Sequence, residues 1–173
     1  LKSSWRSLVA LFAPGVAFAV GLGWLGTAGG ESWRWLQRPA AWPWELWVIA
    51  LTGTLATAAG AGDWAWHRWA RGCVIGSAER RCELLAMAAG GGPLFVFMAL
   101  ASLSLRPQLW LLPAVIAVVA TTAMICYDEF IFHRRRCRRW ETILHRVLVF
   151  GQGAAWLAWA HWCFVRGGIH ALG

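Results

Sequence analysis

The stretch Tyr127–His145 reads YDEFIFHRRRCRRWETILH, a short and strongly basic connection between two long apolar runs. It carries Glu129 with His133 and Glu141 with His145, each pair separated by four positions. Residues i and i+4 share one face of an α-helix, so each pair turns a carboxylate and an imidazole in the same direction. A weaker copy runs from Asp63 to Glu83, where Asp63 is followed four residues later by His67, and Glu79 by Glu83. Both copies hold an arginine and a cysteine between their pairs, Arg71 and Cys73 in the first, Arg136 and Cys137 in the second. The repeat predicts two helical hairpins, each with an acid–imidazole pair closing its descending helix and a second i, i+4 pair opening its ascending one.

The rest of the chain says what those helices are immersed in. Of 173 residues 59% are hydrophobic and only 14% carry charge, too few to solvate the surface of an ordinary globular domain. Several apolar runs approach or exceed the roughly 18–20 residues that a helix needs to cross a bilayer core. The chain therefore reads as an all-α integral membrane protein, a single transmembrane domain over residues 1–173. Its five transmembrane helices are expected near 5–26, 44–66, 79–105, 109–133 and 140–165, with spans two to five forming a four-helix bundle from the two pseudo-repeated hairpins. For the first run a signal peptide is the alternative.

Orientation follows from the basic residues. Twelve of the sixteen Lys and Arg fall on one side: Lys2, Arg6, Arg68, Arg71, Arg80, Arg81, Arg134, Arg135, Arg136, Arg138, Arg139 and Arg146. Arg34, Arg38, Arg106 and Arg166 are left on the other. The positive-inside rule then places the N-terminus in the cytoplasm and the C-terminus outside, in a bacterial-type inner (plasma) membrane. Topology and anionic headgroups account for the net charge of +8, so no nucleic-acid partner is invoked. The acids sort the same way: Glu31 and Glu45 fall outside, whereas Asp63, Glu79, Glu83, Asp128, Glu129 and Glu141 all fall at cytoplasmic helix ends.

Other features serve packing. The second span is rich in small residues, including Thr52, Thr57, Gly60 and Gly62, which permit close helix approach. Gly90-Gly91-Gly92-Pro93 marks a kink or a close contact in the third span, and Gly151-Gln152-Gly153 interrupts the fifth. The outer segment Gly29–Trp44, with Trp33, Trp35, Trp42 and Trp44, is expected to lie as an amphipathic anchor in the headgroup layer. His161 and His170 fall on the outer side, away from the cluster, and receive no role.

Carboxylates and imidazoles from four facing helices are the donor set of di-metal carboxylate bundles. The expected metal ligands are Asp63, His67, Glu79, Glu83, Glu129, His133, Glu141 and His145, with Asp128 and Tyr127 as catalytic proton-transfer groups. An oxygen- and nitrogen-rich set suits two transition-metal ions, iron first and manganese or zinc as alternatives. Soluble bundles use i, i+3 spacing, so the likeness is one of chemistry and transfers no ligand roles. The expected function is di-metal, di-iron redox or oxygen-dependent chemistry on a lipid-soluble substrate such as a quinone, acyl chain or isoprenoid, with the metal site on the cytoplasmic side. Its partners would be the lipid bilayer, that small molecule, and an electron-donor protein or membrane complex. Two alternatives stand beside it: a metal-dependent lipid-headgroup hydrolase with the same ligands and Arg134–Arg139 binding phosphate, and a non-catalytic membrane subunit of a larger complex, or a small transporter, in which the tryptophans and glycines pack against partner helices. The five cysteines form no C-x-x-C pair, and no phosphate loop, nucleophile elbow or haem-attachment motif is present.

Overall fold

The computed structural model describes residues 5–69, 91–128 and 139–168, together with Arg81, Leu85 and Ala89. Among them the secondary structure is helical, with no strand. Five α-helices follow in order: α1 (Trp5–Ala28), α2 (Trp44–Trp69), α3 (Gly92–Leu103), α4 (Leu111–Asp128) and α5 (Arg139–Ala160). Short 3₁₀ turns at Glu31–Gln37, Pro39–Ala41 and Pro107–Trp110 join them, and a π-helical turn, His161–Val165, ends α5. Helix α1 and the segment 107–127 are each long and apolar enough to cross a membrane.

The broadest interface is between α2 and α5, which run antiparallel. A Cβ added at Gly62 would meet Leu144, one at Gly60 would meet Leu148, and one at Gly151 would meet Ala56. Position numbers thus rise on one helix as they fall on the other. Small residues make this approach possible: Ala56, Ala59 and Gly60 on α2 and Ala155 and Ala158 on α5 are buried. Several large apolar side chains along the middle of the same helices point outward, with Leu51, Leu55, Phe150 and Leu157 all more than half exposed. Helix α1 lies against this pair through Leu11, which reaches Gly60, but has no buried residue of its own.

The hydrophobic core sits at one end. Trp33, Leu36, Leu46, Ala101, Ala114, Trp159, Trp162 and Cys163 form it, drawn from the 3₁₀ segment, α2, the α3–α4 hairpin and the end of α5. Trp159 Nε1 donates to Ser102 Oγ at 2.9 Å, tying α5 to α3. The Gly29–Trp44 segment departs from a flat anchor. Gly30, with φ of 80°, turns the chain back at the end of α1, and the 3₁₀ helix buries Trp33 and Leu36 against protein. Trp42 Nε1 donates to the Leu36 carbonyl at 2.9 Å, closing the segment on itself. The expected kink at Gly90–Pro93 takes a specific form: Ala89 and Gly91 are π-helical, and regular α3 starts at Gly92 with Pro93 in the first turn, where a missing N–H leaves no hydrogen bond unmade.

Gly151 carries a test of the seam. A Cβ there would stand 2.9 Å from both the Ala56 Cβ and the Thr52 carbonyl oxygen, and the backbone oxygen has nowhere to retreat. Gly151→Ala is expected to destabilise the protein by roughly 1–3 kcal/mol through overpacking. Gly153→Ala, whose Cβ would meet nothing within 4 Å, is expected to be neutral or slightly stabilising. Denaturation of the two variants in detergent micelles measures the difference.

Candidate functional site

The α2–α5 register decides which predicted site residues meet. Gly62 faces Leu144, so Asp63 and His145, the next residue on each helix, share one level of the seam. His67 lies one turn further along α2 and Glu141 one turn back on α5. Two of the four predicted pairs therefore occupy the same end of one helix pair. Asp63 Oδ1 stands 3.6 Å from His67 Nε2, and the His67 side chain is only 5% exposed. Glu141 is buried at 1% exposure, and His145 Nε2 and Asp63 Oδ1 are shielded from solvent.

Aromatic and cationic groups cap this end. The Trp5 and Trp64 rings lie 4.9 Å apart, Trp69 stands edge-on to Trp64 at 5.3 Å, and the Arg68 guanidinium covers both Trp5 and Trp64. Cation–π contact of this kind fastens the start of α1 over the end of α2. Tyr127 sits exposed at the end of α4, next to Asp128, the last residue of that helix. Glu79, Glu83, Glu129 and His133 lie outside the described residues. Among the described residues, no three of His, Cys, Asp and Glu converge into a group able to hold a metal ion.

The opposite end of the seam holds a charged group that sequence reasoning passed over. Glu45, in the first turn of α2, is completely buried. Its Oε1 lies 2.8 Å from His161 Nδ1 and accepts a hydrogen bond from Arg166 Nε at 2.9 Å. Oε2 is also enclosed and has no hydrogen-bond partner among the described residues. The π turn explains how two residues five apart reach one oxygen: the Arg166 N–H bonds to the His161 carbonyl at 2.9 Å, stacking position 166 almost over position 161. Gly167 and Gly168, both at positive φ, then turn the chain away. Trp44 packs its ring 5.2 Å from the His161 imidazole. No sequence pattern announces this triad, since Glu45 is over a hundred residues from its partners and i, i+5 is not an α-helical repeat.

No protein-family model, characterised protein or solved structure matches this chain.

A buried carboxylate held by two bases contributes little net stability when intact but costs a great deal when half-dismantled. Arg166→Met leaves Glu45 buried with His161 alone. It is expected to lower unfolding stability by roughly 2–3 kcal/mol, the low end of such losses because Arg166 is 35% exposed. The double substitution Glu45→Met with Arg166→Met removes the stranded charge and is expected to recover most of that loss, as a denaturant titration of both variants measures.

Proposed function

We propose that the chain is a five-span membrane protein, spans two to five bundled, that binds a pair of transition-metal ions, iron first, at the acid–imidazole end of the α2–α5 seam. There it carries out redox or oxygen-dependent chemistry on a lipid-soluble molecule. The observation that carries the reading is the register, which brings Asp63, His67, Glu141 and His145 to one end of a single helix pair although α2 and α5 are far apart in the chain. The ligand set is completed by Glu79 and Glu83, opening the third span, and by Glu129 and His133, closing the fourth, with Asp128 and Tyr127 moving protons.

The local geometry supports chelation. Asp63 Oδ1 and His67 Nε2 stand 3.6 Å apart on one face of α2, near enough for both to reach a single ion. Burial of acids and imidazoles in a helix seam is also costly without a function that uses them. The membrane setting is supported by the inverted packing of α2 and α5, small residues inward and Leu51, Leu55, Phe150 and Leu157 outward, which suits lipid and would be aggregation-prone in water. The orientation, with the metal end cytoplasmic, rests on the distribution of arginines.

A second reading has its own support. Arg139 and Arg146, with Thr142 and Ile143, border a groove of about 350 Å³ on the helix that also bears Glu141 and His145. A lipid phosphate held there would make the same metal site a headgroup hydrolase. Reconstitution with iron separates the two: dioxygen consumption with a quinol supports the redox reading, phosphate-ester cleavage the hydrolytic one.

Metal analysis of the protein purified from iron-replete cells tests the shared premise. Roughly two transition-metal ions per chain are expected, falling by at least half in Asp63→Asn and in His145→Ala with helix content unchanged. Parent protein without transition metal overturns both readings.

A further inference from the structure

At the end remote from the proposed metal site, Glu45, His161 and Arg166 form a second built site. We infer that the side chains of His161 and Arg166, fixed by Glu45, form a binding site for the phosphate group of an anionic lipid in the outer leaflet.

Arg166 keeps unused donors beside Glu45. Arg166 spends only Nε on Glu45, and its guanidinium, about a third exposed, has no other partner among the described residues. Its free edge is the planar fork that matches two phosphate oxygens. His161 spends Nδ1 on Glu45, which leaves Nε2 as the outward group of a side chain 42% exposed. Because both side chains converge on Glu45 Oε1, at 2.8 and 2.9 Å, the imidazole and the guanidinium are held side by side. Their rotamers are fixed before any ligand arrives, which removes much of the entropic cost of binding.

The surroundings fit a lipid phosphate. Trp44, about half exposed, lies against His161 in the triad, and Trp47, also about half exposed, packs against Trp42. Indole rings at this level suit the boundary between headgroups and acyl chains. The site belongs to the sparsely charged side of the proposed topology, where Arg166 is one of only four basic residues, so general attraction to a polybasic surface does not account for it. Helix α2 separates Glu45 from Asp63 by eighteen residues, roughly 27 Å of rise, so this site stands apart from the metal chemistry. The inference rests on the membrane reading but not on the metal.

Native mass spectrometry of the full chain, released from nanodiscs containing equal phosphatidylglycerol and phosphatidylcholine, tests the inference. The parent protein is expected to retain one phosphatidylglycerol more tightly than phosphatidylcholine, with at least fivefold weaker retention in Arg166→Lys and in His161→Gln. Arg166→Lys keeps the charge beside Glu45 and so preserves the fold, but loses the fork. Displacement of that lipid by millimolar inorganic phosphate would also support the shared phosphate chemistry and identify a soluble anion as the source. Equal retention by the parent and by folded Arg166→Lys and His161→Gln overturns the inference, while metal content, measured on the same samples, reports separately on the other end.

Discussion

Close antiparallel contact between α2 and α5 is the constraint on which everything else depends. Gly60 and Gly151 are the positions where the two helices come nearest to their neighbours, and a single methyl group at Gly151 would collide with the Thr52 carbonyl. Small residues let the two backbones come close, and intimate van der Waals packing over them holds the pair together. Once that contact is fixed, the register is fixed, and with it the identity of every polar residue that meets across the seam. Among the described residues, Asp63, His67, Glu141 and His145 thereby share one end of the helix pair, and Glu45 joins His161 and Arg166 at the other.

The two ends are organised differently. The Glu45 end is continuous with the tryptophan-rich core, where Trp33, Leu36, Trp159 and Trp162 pack and the α3–α4 hairpin is tied in through Ser102. A buried carboxylate here is surrounded by well-packed apolar groups, which fixes its two bases in place. At the other end, Trp5, Trp64 and Trp69 pack under the Arg68 guanidinium, beside the Asp63–His67 pair of α2.

The sequence made the helices legible because each rests on a long apolar run, and it made the acid–imidazole pairs legible because i, i+4 spacing has a direct geometric meaning. Small residues in α2 also announced close approach, as Gly60 and Gly62 show. Which helices approach one another was not legible: local spacing suggested facing hairpins, while the broadest interface joins the second span to the fifth. Glu45 read as an ordinary loop-side acid and His161 as incidental because their pairing depends on that long-range register and on a π turn that no α-helical periodicity encodes. The folding of the Gly29–Trp44 segment onto the core was not legible for a related reason. Indole suits a headgroup layer and a protein core equally, and only the turn at Gly30 directs Trp33 inward.

The register itself is open to direct measurement. In a cysteine-free background, Gly62→Cys with Leu144→Cys places two thiols at positions whose side chains touch, while Gly53→Cys with Leu144→Cys places them at opposite halves of the seam. Treatment of membranes with a short bifunctional thiol reagent is expected to cross-link the first pair rapidly and the second not at all. Cross-linking of the Gly53 pair, or of neither pair in folded protein, would contradict the α2–α5 alignment and with it the convergence of both charged groups.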